Sequence, residues 1–203
     1  MDYLRDPAAI YRRSFEIIRA ETDFSQLPPD AEPIATRIIH ACGMPDIAPD
    51  LRISSDFVTA AQGSLAAGKT VLVDVEMVRH GIIDKQLNVI CTLNDPRARE
   101  VGLATGNTRS AAAVEFWRDR LAGSIAVIGN APTALFALLE LIDAGAPKPA
   151  AIVGFPVGFV GAAESKDELH ANPRGIPYAA LLGRRGGSAM AASVINALAR
   201  GAA

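Results

Sequence analysis

Apolar residues near the start of the chain recur at helical spacing. Asp6 suits a helix N-cap and Pro7 the first helical position. One apolar arc at helical spacing then comprises Ile10, Tyr11, Phe15, Ile17 and Ile18. Ser14 falls in the middle of this arc, so its hydroxyl needs a hydrogen-bond partner. A bond to the backbone of its own helix is one explanation.

A second helix is predicted from about residue 33 to Cys42, with Gly43 as its C-cap. Arg37 and His40 stand three residues apart on this helix, away from its buried face, so they are neighbours. Residues 44–55 are predicted to form a loop, and residues 56–67 to form a third helix.

From residue 70 onwards, short β-branched runs alternate with longer helical segments. The predicted strands are 70–75, 89–93, 125–129, 150–154 and 178–182, and the predicted helices are 108–121, 132–144, 162–170 and 188–199. The strands show little polar alternation, which is typical of strands buried on both faces. This pattern predicts an α/β fold with a flavodoxin-like, doubly wound parallel sheet of five strands and extra N-terminal helices. We expect a single domain over 1–203, with an N-terminal helical part (1–69) and an α/β core (70–203).

Residues 63–70, GSLAAGKT, match the P-loop pattern, but the predicted elements come in the wrong order. A P-loop needs a strand before it and a helix after it, because the N-terminus of that helix faces the phosphate. Here helical residues precede the motif and a strand follows it. Gly68 then suits a helix C-cap and Lys69 a solvated linker. The order of elements therefore disfavours a nucleotide site.

Glycine-rich turns lie where parallel sheets bind ligands, at strand ends and helix starts. They are residues 106–110, 128–133, 154–161 and 183–188. Arg109 lies in the first turn of a predicted helix, where a cation is unfavourable unless an anion is close. The backbone's need for glycine explains any one turn equally well. Four such turns together favour an anionic ligand. The sequence contains no dinucleotide-type glycine triplet after the first strand, no G-x-S-x-G elbow and no HExxH motif.

Composition narrows the class of protein further. Half of the 203 residues are hydrophobic, 21% are charged and the net charge is −2. This mix excludes an intrinsically disordered chain and argues against a nucleic-acid binder. No apolar run approaches the roughly 20 residues of a membrane-spanning helix. The N-terminus lacks the layout of a signal peptide.

The counts of cysteine and histidine limit the chemistry. The two cysteines fit no zinc site or disulfide framework, and with so few of them a cytoplasmic location is expected. A mechanism that needs imidazole has three candidates: His40, His80 and His170.

Several strings resemble the precorrin-8X methylmutase family, and the resemblance spans nearly the whole chain. They are YRRSFEIIRAE (11–21), RIIHACG (37–43), DVEMV (74–78), GNTRSAA (106–112), IGNAPTAL (128–135) and GFPVGFVGAAESK (154–166). The resemblance is weakest over residues 44–54. It implies an isomerase of cobalamin biosynthesis that moves a methyl group from C-11 to C-12 of a tetrapyrrole, converting precorrin-8X to hydrogenobyrinate. It also implies a homodimer with a deep cleft near the subunit interface.

A sigmatropic methyl shift needs no nucleophile, metal or redox cofactor. It needs the macrocycle held in a reactive geometry and one group that handles a proton. The family's acid/base histidine corresponds to His40, and His80 is the weaker alternative. Ser14 and Arg37 correspond to substrate-binding positions of the family. We expect further substrate contacts from a second segment: Asn107, Thr108 and Arg109.

Two questions stay open at the level of sequence. The substrate is either metal-free or cobalt-loaded, because the macrocycle itself would hold the metal. A tetrapyrrole carrier without catalytic activity would bind the same ligands. A hydrolase or a nucleotide-binding enzyme of flavodoxin-like fold is disfavoured by the failed motifs.

Overall fold

Helices and strands alternate along most of the computed structural model, which describes residues 1 and 3–200. Residues 2 and 201–203 of the predicted domain lie outside the described residues. The described residues form nine α-helices: α1 (Pro7–Glu21), α2 (Glu32–Cys42), α3 (Phe57–Ala66), α4 (Glu76–Gly81), α5 (Pro96–Thr105), α6 (Arg109–Glu115), α7 (Pro132–Asp143), α8 (Ala162–Ala171) and α9 (Ser188–Arg200). They form six strands: β1 (Leu51–Ile53), β2 (Val71–Val73), β3 (Val89–Cys91), β4 (Ile125–Ile128), β5 (Ala151–Gly154) and β6 (Tyr178–Leu181). Short 3₁₀ segments lie at Pro29–Ala31, Pro45–Asp50 and Arg118–Arg120.

The strands of the described chain form one sheet in the order β1-β6-β5-β4-β2-β3. Strands β2 to β6 are parallel. They correspond to the five strands predicted from the sequence, so the α/β class and the parallel core are confirmed. Numbered among themselves, these five strands have the flavodoxin-like order 2-1-3-4-5. The order reverses between β2 and β4, so the carboxyl ends of these two strands border the crevice where such sheets bind ligands.

The sixth strand corrects the prediction of a five-stranded sheet. β1 lies inside the segment 44–55 that was predicted to be a loop, and it pairs antiparallel with β6, with Leu51 opposite Leu181. The first 69 residues therefore contribute a strand as well as helices. Three residues offer too few alternating positions for a periodicity argument. Only the partner strand, far along the chain, makes this segment a strand.

Successive residues of the parallel strands face opposite layers. In β2, Val71 and Val73 join one hydrophobic core and Leu72 joins the other. The first core lies under α1, α2, α3, α4 and α9, and the second under α6, α7 and α8. Burial on both faces explains why the strands show little polar alternation. No helix within residues 1 and 3–200 has the length and hydropathy needed to cross a bilayer.

Helix ends set by local caps agree with the sequence-based boundaries. Asp6 accepts a hydrogen bond from the backbone N–H of Ala9 at 2.9 Å and starts α1. Gly43 ends α2 with a φ of +69°. Gly68, with a φ of +65°, follows α3 and precedes β2. The P-loop-like string therefore has the helix–turn–strand order that the sequence predicted.

Helix boundaries that depend on tertiary contacts were predicted less well. α4 and α5 were not predicted, and the predicted helix 108–121 is wrong because α6 ends at Glu115. Just beyond it, the fully buried indole of Trp117 donates to Thr92 Oγ1 at 2.8 Å. Thr92 lies directly after β3. Because Thr92 lies outside residues 108–121, the periodicity of that segment gives no sign of this hydrogen bond.

Candidate active site

Ser14 on α1 and His40 on α2 form a hydrogen-bonded pair. Ser14 Oγ lies 2.8 Å from His40 Nδ1. Tyr11 stands three residues before Ser14 and four before Phe15, so on α1 it is a neighbour of both. Both aromatic rings meet the imidazole nearly edge-on, each with its centroid 5.4 Å from the ring centroid of His40. The serine in the apolar arc thus has a partner outside its own helix, and it helps to orient the imidazole.

The hydrogen bond to Ser14 decides which nitrogen of His40 is available to a ligand. With Nδ1 engaged by Ser14, Nε2 has no hydrogen-bond partner among the described residues. The bond made by one ring nitrogen sets the proton on the other. When the Ser14 hydroxyl donates to Nδ1, Nε2 carries the proton of the neutral imidazole. The pair therefore presents a single proton-handling atom at the surface of α2.

His40 lies between two adjoining pockets. The smaller, of about 220 Å³, is lined mainly by apolar side chains of α1 and α2 and by the turn that follows α2: Ser14, Ile17, Ile18, Glu21, Ile39, Gly43 and Pro45. The larger, of about 420 Å³, lies between α2 and the small side chains of α9. The residues that line it besides His40 are Tyr11, Arg37, Ala41, Gly81, Ile83, Ala189, Ala192, Ser193 and Asn196. Mostly apolar walls with a few polar groups are typical of small-molecule sites.

Arg37 places a positive charge on the wall of the larger pocket. Its guanidinium donates a hydrogen bond to the Tyr11 hydroxyl. Its Cζ lies 5.6 Å from the ring centroids of both Tyr11 and Phe15. No carboxylate lies within ion-pair distance of Arg37 in the part of the chain that the structure describes. A guanidinium held in this way suits a carboxylate of a ligand.

Asn107, Thr108 and Arg109 form a second group, at the carboxyl edge of the sheet. Thr108 is the N-cap of α6: its Oγ1 accepts from the backbone N–H of Ala111 at 3.1 Å and lies 2.8 Å from Thr133 Oγ1. Asn107 Oδ1 accepts from the backbone N–H of Thr108 at 2.8 Å. Arg109 is exposed at the first position of α6. These three residues line neither pocket that opens on His40.

The turn 128–133 does not offer its backbone donors to an outside anion. The N–H groups of Gly129, Asn130 and Ala131 donate to the Asp74 carboxylate at 2.8, 3.0 and 2.9 Å. Asp74 is only 4% exposed. Burial raises the pKa of Asp74, and the three backbone hydrogen bonds oppose that rise. The anion expected at this turn is therefore a side chain of the protein itself.

A buried lysine joins the turns 154–161 and 183–188. Lys166 is fully buried, and its Nζ donates to the carbonyl oxygens of Pro156 at 3.1 Å and Arg185 at 2.6 Å. Burial lowers the pKa of Lys166 to about 8. The ammonium thus fixes these two turns to each other.

The two arginines of the turn 183–188 have different surroundings. Arg185 is paired within the protein, with Asp46 at 2.6 Å and Asp50 at 3.1 Å. Arg184 is exposed, and its Cζ lies 5.5 Å from the ring centroid of Phe159. Arg185 is therefore a structural cation, whereas Arg184 faces solvent.

His80 and His170 lie in surroundings that differ from those of His40. The side chain of His80 is 73% exposed, and its Nε2 is 3.7 Å from a Glu76 oxygen. His170 Nδ1 shares a hydrogen bond with the Tyr178 hydroxyl, near the amino end of β6. Neither histidine lines the two pockets beside His40.

Asp74 and Lys166 were not singled out from the sequence. Asp74 follows a buried strand directly, and Lys166 lies among small residues at the end of the longest family-like string. A charged residue in such apolar surroundings was the available signal, because buried charges require partners. The partners themselves lie on other elements.

The fold and the site define a flavodoxin-like α/β protein with a single histidine between two apolar pockets. A family model described as precorrin-8X methylmutase matches residues 9–201. A curated relative named precorrin-8X methylmutase, from Pseudomonas aeruginosa, is 57% identical over 98% of both chains. Another of the same name, from Sinorhizobium sp., is 55% identical over 98% of this chain and 97% of its own. The chain belongs to the precorrin-8X methylmutase family.

The chain is also similar to a solved structure and to relatives that carry a different name. The solved precorrin-8X methylmutase of Thermus thermophilus superposes with a TM-score of 0.85 at 35% identity and 96% coverage of both chains. Relatives named cobalt-precorrin-8 methylmutase are less similar, among them one from Methanothermobacter thermautotrophicus, 39% identical over 93% of this chain and 90% of its own. The membership expected from the sequence is confirmed.

Proposed function

We propose that this chain is an isomerase of cobalamin biosynthesis that converts precorrin-8X to hydrogenobyrinate. The observation that carries the proposal is the family match over residues 9–201, together with two relatives more than half identical that are named precorrin-8X methylmutase. In the reaction one methyl group leaves C-11 as it bonds to C-12. The macrocycle gains and loses no atom or electron overall, so the enzyme supplies geometry and a proton that is returned.

His40 is the group proposed to handle this proton. Its Nε2 opens towards the pockets while the hydrogen bond between Ser14 Oγ and Nδ1 holds the ring. In its protonated form the imidazole donates the Nε2 proton to the conjugated macrocycle and becomes neutral, while its Nδ1–H donates to the Ser14 hydroxyl oxygen. The protonated macrocycle is electron-poor, which eases the migration of the methyl group. The proton returns when the product forms. A positioned acid of this kind contributes about 10²- to 10⁴-fold in rate.

The arginines are proposed to hold peripheral carboxylates of the tetrapyrrole. Arg37 has no carboxylate partner among the described residues and lines the larger pocket. Asn107 and Arg109 are exposed at the carboxyl edge of the sheet, where they suit a second part of the ligand rim. Thr108 acts there through its cap of α6, which sets the direction of the preceding turn.

The metal-free macrocycle is the proposed substrate. The relatives named for precorrin-8X are 57% and 55% identical, whereas those named for cobalt-precorrin-8 are between 32% and 39% identical. A gap of this size favours the substrate of the more similar group. In the cobalt-loaded substrate, the macrocycle holds the cobalt ion, and no site of the protein does.

The functional unit is proposed to be a homodimer in the cytoplasm. Exposed large apolar side chains give support for a dimer: Met77 is 69% exposed, Phe159 83% and Val160 88%. Burial of such side chains against a second copy is favourable. Light scattering during size exclusion, at two protein concentrations, tests the dimer. A monomer mass at both concentrations contradicts it.

The function itself is tested with purified protein and both candidate substrates. Precorrin-8X and cobalt-precorrin-8 are each supplied in large excess, and the absorption spectrum is followed. We expect many equivalents of precorrin-8X to be converted, and slower conversion of the cobalt form. Conversion of at most one equivalent indicates a carrier, and faster conversion of the cobalt form contradicts the proposed substrate.

A further inference from the structure

Asp74 occupies the point where the strand order of the sheet reverses. It follows β2 directly, and its backbone N–H donates to Val127 of β4 at 3.1 Å. Its carboxylate receives all three consecutive N–H groups of the turn after β4, residues 129–131. Consecutive N–H groups ahead of a helix form an anion-binding concavity, and the positive end of α7 adds to it. The carboxylate of Asp74 fills this concavity from inside the protein.

One side of the turn supports the helix that forms a wall of the pocket beside His40. A Cβ added to Gly129 would lie 2.5 Å from Val78 Cγ2, 2.9 Å from Ala191 Cβ and 3.1 Å from Ser188 Cα. Ser188 Oγ also donates to the Gly129 carbonyl at 3.4 Å. The start of α9 therefore rests on this turn. The next residues of α9, Ala189 and Ala192, line the larger pocket with His40.

The other side of the turn leads to the second group of candidate residues. Thr133 follows the turn in the first turn of α7, and its hydroxyl lies 2.8 Å from that of Thr108. Thr108 caps α6 immediately before Arg109. Asp74, by fixing residues 129–131, thus lies between the two groups of candidate site residues.

We propose that Asp74 is a positioning residue, a built-in anion that holds turn 129–131 and through it sets α9 beside His40 and α6 at Arg109. The inference rests on the proposed function in so far as these two groups bind one substrate. Without the carboxylate, three aligned N–H donors have no acceptor from β2. The turn then moves away from β2 towards water, and the pocket beside His40 loses its position relative to the segment 107–109.

The first experiment tests the built-in anion and does not depend on the enzyme's activity. Asp74→Ala leaves a space with three N–H donors that a formate ion fits. We expect formate to raise the Tm of Asp74→Ala in a saturable way, by about 3–6 °C at ten times its dissociation constant. Chloride at the same ionic strength is the salt control. Asp6→Ala, which removes an exposed carboxylate cap, is the variant control and gains nothing from formate. An equal formate effect on Asp74→Ala and on the unmodified protein overturns the proposal.

The second experiment tests positioning and uses Asp74→Asn, which keeps the size of the side chain. Its amide nitrogen faces backbone N–H groups, so part of the hydrogen bonding is lost. We expect KM for precorrin-8X to rise and kcat to fall, with kcat/KM lower by roughly 10- to 100-fold. A merely structural role would lower the folded fraction, which reduces kcat and leaves KM unchanged; that result overturns the proposal.

The two experiments separate failure of this inference from failure of the proposed function. If the unmodified protein does not convert precorrin-8X, the function is wrong, and the formate experiment still decides whether Asp74 is a built-in anion. If Asp74→Ala folds only when formate is present, that dependence is itself the expected result. A variant that folds equally well with and without formate contradicts it.

Discussion

The hydroxyl oxygen of Ser14 lies 2.8 Å from Nδ1 of His40, across 26 residues of sequence and between two helices. This contact joins two positions that the sequence picked out for separate reasons, a polar residue within an apolar arc and a histidine beside an arginine. It leaves Nε2 as the ring atom that a ligand meets. The predictions below begin with these two residues.

Replacing His40 by alanine is expected to lower kcat by about 10²- to 10⁴-fold, because the positioned proton donor is lost. The residue is exposed, so the Tm should stay close to that of the unmodified protein. Turnover of precorrin-8X and a thermal melt are the measurements. His80→Ala, another exposed histidine, is the matched control and should retain normal turnover. Near-normal turnover of His40→Ala would remove His40 from the mechanism.

Replacing Ser14 by alanine is expected to have a smaller effect on kcat, of about fivefold. The imidazole keeps its place between Tyr11 and Phe15 but loses the hydrogen bond that orients it, which is worth about 1 kcal/mol. Steady-state kinetics at saturating substrate measure the change. Ser55→Ala, at an exposed serine away from the pockets, is the control. If Ser14→Ala turns over as fast as the control, the pair has no role in orienting His40.

Arg109→Ala is expected to weaken binding of the coloured product by about tenfold or more while the protein stays as stable. Arg109 stands in the first turn of α6, where the helix dipole disfavours a cation, so its removal costs no helix stability. Spectroscopic titration with hydrogenobyrinate and a thermal melt check both statements. Arg99→Ala, at an exposed arginine of α5, controls for the change in net charge. Equal affinities of the two variants would exclude Arg109 from the ligand site.

Lys166 predicts a dependence of stability on pH above neutrality. Its pKa is lowered by burial to about 8 from the ordinary 10.5. Between these values the unfolded chain holds the proton that the folded protein has released, so this residue's contribution to the free energy of unfolding rises with pH. Urea unfolding at pH 7 to 10 should show the unmodified protein gaining stability relative to Lys166→Met across this window.

The matched control for this experiment is Lys148→Met. Lys148 is exposed and also donates to a backbone carbonyl, that of Arg174, at 2.6 Å. At pH 7 Lys166→Met should be less stable than the unmodified protein, because a buried and a half-buried carbonyl lose their donor. A stability difference between Lys166→Met and the unmodified protein that does not vary with pH would mean that Lys166 keeps its proton throughout.

Arg174→Ala is expected to reduce stability by about 1–3 kcal/mol without changing turnover. The guanidinium, with its side chain 10% exposed, bridges Asp143 at 2.7 Å and Glu168 at 2.8 Å. It lowers the pKa of Asp143, so the stabilisation is present above the ordinary value near 3.8 and is lost as pH falls through the lowered value. Urea midpoints at pH 7 and in the acid range, with turnover at pH 7, are the measurements. Loss of turnover in a fully folded Arg174→Ala would contradict a purely structural role.

Individual elements show how far local sequence information reaches. α1, α2 and the five parallel strands were predictable because caps, apolar spacing and buried runs are local signals. β1 was not, because its three residues become a strand only by pairing with β6. The end of α6 was not predictable, because it depends on the hydrogen bond from the Trp117 indole to Thr92, which lies on another element.

The candidate site divides in the same way. His40, Ser14 and Arg37 were chosen from spacing and from family-like strings, and the structure places all three around adjoining pockets. Four glycine-rich turns together were expected to favour an anionic ligand, but the backbone donors of turn 128–133 are taken by Asp74, which follows β2. Arg185 lies in turn 183–188, another of these four turns, and is paired with Asp46 and Asp50 and not with a ligand.

The sequence by itself determined the fold class, the local helices and strands, the family and the histidine to test, since each follows from spacing or from strings of neighbouring residues. The tertiary structure alone decided which charged groups are free to meet a ligand. Asp74, Lys166 and Arg185 find their partners on segments between 10 and 139 residues away. A buried charge is satisfied by whatever the fold brings to it, and no local pattern contains that partner.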